Sequence, residues 1–324
     1  VNKNGFLWEA FSRKRLFPSR DDSSDIHKKF NPPGQNAGGG KMKIHYECFA
    51  CAANQCQRIV EMGTDDLELR KKGVVEAARL MATISEDSIP AIFGSDVFLG
   101  VYRVIGNDDP FREYKELSNR LAERVVSDLE KEEIDLRTAL KLAIIGNVID
   151  FAVGYSPEKI EEDVREMLGE ELYIDHSEEL FKVLKSAKTL LYLTDNCGEI
   201  YFDRLFLKKL KEAFPRLEIY IAGKEGPIIN DATVEDLQNA GFEKLGRVVS
   251  TGTRIVGVPF DRVSDEFRAI FEKVDVIIAK GQGNFETLSE INDERVFYLL
   301  KAKCRPIARE LEVPQGAMVC LRAR

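Results

Sequence analysis

Near residue 188 the chain changes its apolar period, and that change constrains the fold more than any other feature of the sequence. Upstream the repeat is helical. Val74, Ala78 and Met81 recur at i, i+4 and i+7; Leu117, Leu121, Val125 and Leu129 step by four; Leu136, Leu140 and Ile144 repeat the pattern. Pro90 opens a further apolar stretch to Ile105, and Ser156-Pro157-Glu158 has the form of a helix N-cap with proline in the first turn. Downstream, short apolar runs at 190–194, 219–222, 247–250, 274–279, 296–300 and 318–321 read as strands. Through residue 279 they alternate with amphipathic segments at 201–214, 232–240 and 265–273. Strands that alternate with helices join by right-handed crossovers into a mainly parallel sheet covered on both faces. The expected fold class is therefore α/β, a doubly wound Rossmann-like sheet at 189–324 preceded by an all-helical domain at 42–188.

Residues 1–41 are unlike either part. They hold Arg13-Lys14-Arg15, the one tryptophan, Trp8, and the breaker-rich stretch NPPGQNAGGG at 31–40, and are expected to form a flexible leader or a basic arm. The leader carries 8 Lys+Arg against 4 Asp+Glu, so the net charge of −8 becomes −12 over residues 42–324. So acidic a body argues against nucleic acid as a partner while leaving room for a small anion in a local basic pocket. No apolar run reaches 18 residues and no secretory h-region is present, so neither a membrane span nor export is expected. Six cysteines are too few for a disulfide scaffold, which points to reduced thiols in a cytoplasm. The three histidines, His27, His45 and His176, lie far apart, which disfavours an imidazole-built zinc site.

In open α/β sheets ligands bind beyond the carboxyl ends of the strands. Those ends read TDNCGE at 194–199, AGKEGPIINDAT at 222–233, STGT at 250–253 and AKGQGNFE at 279–286. Asp195, Asn196 and Asp231 supply hard oxygen donors that suit Mg²⁺ or Mn²⁺, although each taken alone reads equally as a helix cap. In KGQGN at 280–284 a cation stands beside two glycines that let backbone N–H groups approach an anion, without the spacing of a Walker A loop or a dinucleotide fingerprint. Ser250 and Thr251 add hydroxyl donors at the neighbouring strand end, where a structural turn is the competing reading.

Taken in this order and after strands, these segments resemble the DUF89 family of metal-dependent damage-control phosphatases. ECFAC at 47–51, DPF at 109–111 and GNVIDF at 146–151 extend the likeness to the stand-alone microbial branch, covering residues 42–324. The resemblance implies a divalent cation, Mn²⁺, Co²⁺, Ni²⁺ or Mg²⁺, held by Asp195, Asn196 and Asp231, and a phosphate-contacting lysine at Lys280. It implies as partner a small phosphorylated metabolite, a sugar phosphate or damaged phosphometabolite, hydrolysed by metal-activated water. Backbone N–H groups at Gly281, Ser250 and the helix after Asn196 are expected to neutralise the equatorial oxygens, with Thr251, Asn284 and Glu199 also at the phosphate. A SAM-dependent protein carboxyl methyltransferase is the alternative enzyme. Against it, no glycine-rich loop follows the first α/β strand.

Two further groups stay open. Cys48 and Cys51 share a helix face and suit half of a second metal site or a redox pair, with Cys56 and Cys197 as further ligands; a pair of buried thiols at a helix interface explains the spacing equally well. A non-catalytic metal or redox protein built on them is the reading from another class. Asn147 and Asp150, at i and i+3 of an apolar helix, point either into the cleft or at one another as a structural pair.

Overall fold

Seven strands form one sheet in the order β1-β7-β6-β5-β2-β3-β4 in this computed structural model, which describes residues 42–147 and 156–323. The strands are β1 (Ile174–Asp175), β2 (Thr189–Leu193), β3 (Glu218–Gly223), β4 (Arg247–Ser250), β5 (Val276–Lys280), β6 (Val296–Lys301) and β7 (Met318–Arg322). All neighbours are parallel except the β6/β7 pair. Within β2, Leu190 and Tyr192 face one hydrophobic cluster while Leu191 and Leu193 face the other. The same alternation in β5 sends Val276 and Ile278 one way and Ile277 and Ala279 the other, as a sheet buried on both faces requires. The six expected strands are all present. β1, two residues long, is too short to show a period, and β5 starts two residues late because Val274 closes the preceding helix.

The helices preceding β2 are α1 (Tyr46–Gly63), α2 (Leu67–Met81), α3 (Pro90–Ile105), α4 (Arg112–Leu129), α5 (Leu136–Gly146), α6 (Pro157–Leu168) and, between β1 and β2, α7 (Ser177–Leu184). Those interleaved with the following strands are α8 (Glu199–Ala213), α9 (Val234–Asn239), α10 (Asp265–Lys273), α11 (Gly281–Leu288) and α12 (Arg305–Glu310). Local chemistry sets their starts: Asp66, Asp135, Ser156 and Ser264 each accept a first-turn N–H, and Thr233 with Asp236 closes a capping box. The apolar stripes of α4, α5, α6 and α7 are completed by α8 and one face of the sheet, so this packing crosses residue 188. The helices α1, α2 and α3 close around a cluster of their own that takes in Phe111 and Ile228. No helix among the described residues is long and apolar enough to cross a membrane.

Strand order fixes where a ligand can sit. From β2 the chain adds β3 and then β4 on one side, then returns to place β5 on the other side of β2 and β6 beyond it. The loops leaving β2 and β5 therefore diverge and open a crevice at the carboxyl edge.

Candidate functional site

The loops after β2 and β3 are joined by backbone bonds at this edge. Cys197 N–H donates to Asn230 O at 2.9 Å and Ala232 N–H to Asp195 O at 2.8 Å, with Asn196 and Asp231 paired as an antiparallel bridge between them. Asp195, Asn196 and Asp231, 35 residues apart in sequence, are thus neighbours whose backbone positions are fixed by hydrogen bonds. The turn leading to Asp231 carries Ile229 at φ 36°, a left-handed value that a β-branched residue rarely adopts. Tyr102 of α3 holds it there, its hydroxyl accepting the Ile229 N–H at 2.9 Å.

Side chains then fill in a polar cluster. Asn147, the C-cap of α5, donates from Nδ2 to Asp195 Oδ2 at 2.7 Å and to Glu199 Oε2 at 2.6 Å. Asn196 Nδ2 also reaches Asp195 Oδ2, at 2.7 Å, which leaves its Oδ1 as the donor available to a cation. Burial, reinforced by the Glu199 charge, pushes the Asp195 carboxyl up to about 6. Burial likewise pushes Asp231 up to about 8 against the Lys224 ammonium, 3.7 Å away, with Asp195 and Glu199 adding to the rise. Asp231 Oδ2 and Asn147 Oδ1 are buried with no hydrogen-bond partner. The buried charges here are Asp195, Glu199, Asp203 and Asp231 against Lys224 and Lys280, a formal excess of two negatives.

Lys280 departs from the expectation drawn for it. Its side chain is 0% exposed, and its ammonium donates to Glu199 Oε1 at 2.5 Å, to Asp203 and to Ala143 O at 2.9 Å. Glu199 and Asp203 stand one turn apart on α8 and so present both carboxylates to one point. Burial pulls the Lys280 ammonium down, but Asp203 and Glu199 more than reverse it and the group stays protonated. Asp203, which also accepts from the Tyr192 hydroxyl at 2.7 Å, is pushed by burial up to about 7. Lys280 is thus a counter-ion beneath the acidic cluster, because the nearest carboxylates lie on its inner side. Gly281 follows at φ 73°, and a Cβ there would lie 1.9 Å from Asp195 Oδ2. Only glycine lets the β5 loop pass so close to that carboxylate.

Other expected phosphate contacts are also committed elsewhere. Ser250 Oγ bonds Glu225 and accepts the Gly252 N–H, Thr251 Oγ1 donates to Thr253 O, and the Thr251 N–H is taken by Gly223 O at 2.9 Å. Ser250 ends and Thr251 follows the edge strand β4, two strands from β2 and hence about 10 Å away. The N–H groups of Cys197 and Gly198 at the start of α8 are used by Asn230 O and Asn119 Oδ1. Asn284 is buried, its amide donating to Thr194 O and Lys280 O, so it braces the two loops. Asp150 lies outside the described residues, as does all of GNVIDF after Asn147. The DPF segment does not cap α4 through Asp109; that carboxylate pairs with Lys115 at 2.9 Å.

A cavity of ≈ 500 Å³ opens over the cluster. Asp195, Asn196 and Asp231 form its floor, Phe93, Phe98 and Ala52 an apolar wall from α1 and α3, and Lys303, Glu286 and three thiols its rim. The thiols are Cys48, Cys51 and Cys304; Cys56 and Cys197, expected as further ligands, are instead buried in two different hydrophobic clusters. Burial raises the thiols of Cys48, Cys51 and Cys304 above their ordinary range, so they are neutral near pH 7. No group of three or more His, Cys, Asp or Glu side chains in metal-binding geometry occurs among the described residues.

Residues 44–319 match the family model described as the damage-control phosphatase ARMT1-like domain. The chain belongs to this family. A damage-control phosphatase of Pyrococcus horikoshii is 60% identical over 283 residues, covering 87% of this chain and 98% of the relative. A damage-control phosphatase of Archaeoglobus fulgidus is 35% identical over 289 residues, covering 86% and 98%. The crystal structure of a DUF89 family protein from Pyrococcus horikoshii superposes with a TM-score of 0.85 at 60% identity and covers 87% of this chain and 99% of that one. The protein is a damage-control phosphatase by family, and its fold is the family's α/β fold.

Several residues at the cavity or beneath it escaped the sequence reading. Asp203 looks like one more acidic residue on an amphipathic helix, and only its i+4 relation to Glu199 hinted at a shared partner. Lys303 follows β6, Cys304 caps α12 and Glu286 lies in α11, without a spacing that would announce them. Burial, with the Asp195 charge adding to it, pushes the Glu286 carboxyl up to about 8.

Proposed function

We propose that the protein is a phosphoric monoester hydrolase acting on small phosphorylated metabolites, sugar phosphates and damaged phosphometabolites among them, with a divalent cation held by Asp195, Asn196 and Asp231. The observation carrying this reading is the convergence of those three side chains on one cavity, in a cluster where four buried carboxyl groups share two ammoniums. Buried charge of one sign is costly unless a counter-charge meets it. Asp231 Oδ2, met only by the Lys224 ammonium at 3.7 Å, and Asn147 Oδ1, which accepts no hydrogen bond, are oxygen acceptors of the kind a hard cation takes. Such donors suit Mg²⁺ and Mn²⁺ first, and Co²⁺ or Ni²⁺ as well. When bound, the cation supplies Lewis-acid polarisation and lowers the pKa of water.

The remaining work belongs to the chain. Asn147 and Asn196 fix the orientation of the Asp195 carboxylate, and their amides favour its ionised form. Lys280 neutralises Glu199 and keeps it where it can receive the same two amides. Lys224, its ammonium also bonded to Gly257 O, offsets part of the Asp231 charge. Positioning of this kind supplies most of the rate in phosphoryl transfer. All six cysteines are free thiols, which accords with a reducing cytoplasm.

The test is a panel of phosphomonoesters assayed with and without Mn²⁺, Co²⁺, Ni²⁺ and Mg²⁺, repeated on Asp195→Ala and Asp231→Ala. Each variant is expected to lose metal-dependent turnover and calorimetric Mn²⁺ binding while remaining folded. Unchanged Mn²⁺ affinity in both would refute the site. If the two residues were merely caps, each change would cost about 1 kcal/mol of stability and spare the chemistry.

A further inference from the structure

The buried stripe of α4 is apolar at one end and polar at the other. Ala122, Val126 and Leu129 join the cluster that α8 completes, and the same stripe continues toward the N-terminus through Asn119 and Lys115 at helical spacing. A buried polar side chain is costly unless partnered, so what these two hold is informative. Asn119 Oδ1 accepts the Gly198 N–H at 2.7 Å. The Lys115 ammonium, on a side chain only 6% exposed, stands 2.9 Å from Asp109 and 3.9 Å from Asp236.

Their partners sit on the two segments that bear the three floor residues. Gly198, at φ 81°, begins α8 directly after Asp195, Asn196 and Cys197. Asp236 accepts the Thr233 N–H at 2.9 Å and the Thr233 hydroxyl at 2.7 Å, which fixes the chain two residues beyond Asp231. The buried Cys197 thiol bonds Asp236 as well, so the two segments also meet through side chains. The DPF segment completes the arrangement: Phe111 is buried in the cluster of α1, α2 and α3, while Asp109 holds the ammonium of Lys115. The backbone bridge sets Asn196 against Asp231, and α4 sets both segments against the helices.

Resting on the metal-site reading above, we propose that Lys115 and Asn119 are positioning residues for the cation, one turn of α4 gripping the segment after Asn196 and the segment after Asp231 together. Neither residue lines the cavity, so neither meets the substrate. A metal constellation works only while its ligands stay within about 0.5 Å of place. Residues one layer behind such ligands are worth about 10–100-fold in metal affinity or activity. Loosening α4 therefore acts on the cation and on the rate, and spares the binding of the organic part of the substrate.

The experiment uses the full chain and reads Mn²⁺ binding by calorimetry, turnover of an active phosphomonoester at saturating Mn²⁺, and hydrogen exchange of residues 194–201 and 228–236 in the metal-free protein. Asn119→Leu and Lys115→Met are each expected to weaken Mn²⁺ by about 10–100-fold, to lower kcat, and to leave KM for the ester within about twofold. Both are expected to speed exchange in the two segments. Asn119→Asp, which keeps the acceptor, is expected to recover most of the affinity. Asn119→Ser replaces a variant that does not fold, since it withdraws the acceptor from Gly198 without crowding it. Val164→Ala, a core change in α6, lowers Tm and is expected to leave Mn²⁺ affinity at the wild-type value. Mn²⁺ affinity within about twofold of wild type in the folded α4 variants would overturn the proposal. Equal weakening by Val164→Ala would overturn it too, because α4 would then act only through overall stability. A wild-type chain that binds no Mn²⁺ would refute the metal reading; faster exchange confined to the two segments in the α4 variants would even then support the grip.

Discussion

Replacing Lys280 with methionine separates a buried counter-ion from a substrate contact. The variant keeps the length of the stem and removes the charge, leaving Glu199 and Asp203 facing one another with no cation between them. Breaking a buried pair by deleting one partner costs about 3–5 kcal/mol. For a domain of this size that is a fall in Tm of roughly 6–20 °C. The penalty has a pH sign. Asp203 already sits at about 7 in the folded protein, above its value in the unfolded chain, so its protonated form belongs to the fold. Such a group contributes stability that is full below the unfolded pKa and is lost as pH rises through the folded one. Without Lys280 the carboxyl rises further, and the cost of ionising it grows by about 1.4 kcal/mol per pH unit per proton. Urea denaturation of wild type and Lys280→Met at pH 5 and pH 8 is therefore expected to show a small difference at pH 5 and the full penalty at pH 8. A penalty below about 1 kcal/mol at pH 8, or one equal at both pH values, would refute the counter-ion account. Turnover lost with stability intact would return Lys280 to the substrate.

Three other outcomes follow from the same geometry. Gly281→Ala places a Cβ 1.9 Å from Asp195 Oδ2 and demands a left-handed alanine, so about 1–2 kcal/mol of stability and on the order of 100-fold in kcat/KM should be lost; denaturation and kinetics on the purified variant measure both. Cation affinity should rise between pH 6 and pH 8, because Asp195 at about 6 and Asp231 at about 8 must lose their protons to bind, while the metal-free protein loses stability over the same window; Mn²⁺ titrations that are flat with pH would contradict this. Replacing both Cys48 and Cys51 with serine should leave metal-dependent turnover within about tenfold, since neutral thiols at the rim are not needed by a site of oxygen donors; loss of turnover in a folded variant would make them part of the chemistry.

The six longer strands are legible in the sequence because a sheet buried on both faces demands uninterrupted apolar runs, and such runs stand out between charged helices. Asp195, Asn196 and Asp231 could be picked out for a related reason: each is polar and lies where a buried strand has just ended. Lys280 shows the limit. Its place at the end of β5 was evident, but the direction of its side chain depends on what waits inside, and Asp203 belongs to a helix that sequence reading treated only as cover. Ser250 and Thr251 misled because position after a strand was read without knowing that β4 is an edge. Lys303 stayed hidden because its place beside the cavity is held by a bond to Gln282, 21 residues earlier, which no local pattern encodes.

The cavity joins two materials of different origin. Its floor is cut into the sheet edge and braced by charges under the strands, whereas its apolar wall is supplied by helices whose core is their own. Drift in Ala52, Phe93 or Phe98 can therefore reshape what the mouth admits without disturbing the acid cluster, as interchangeable jaws fit one vice. Tyr102 reaches from that same helical layer to hold the turn before Asp231, and Ser95 and Asp96 of the same helix bond Val256 and Arg262. Any lineage that remodels α3 to accept a new molecule must do so around those fixed rivets.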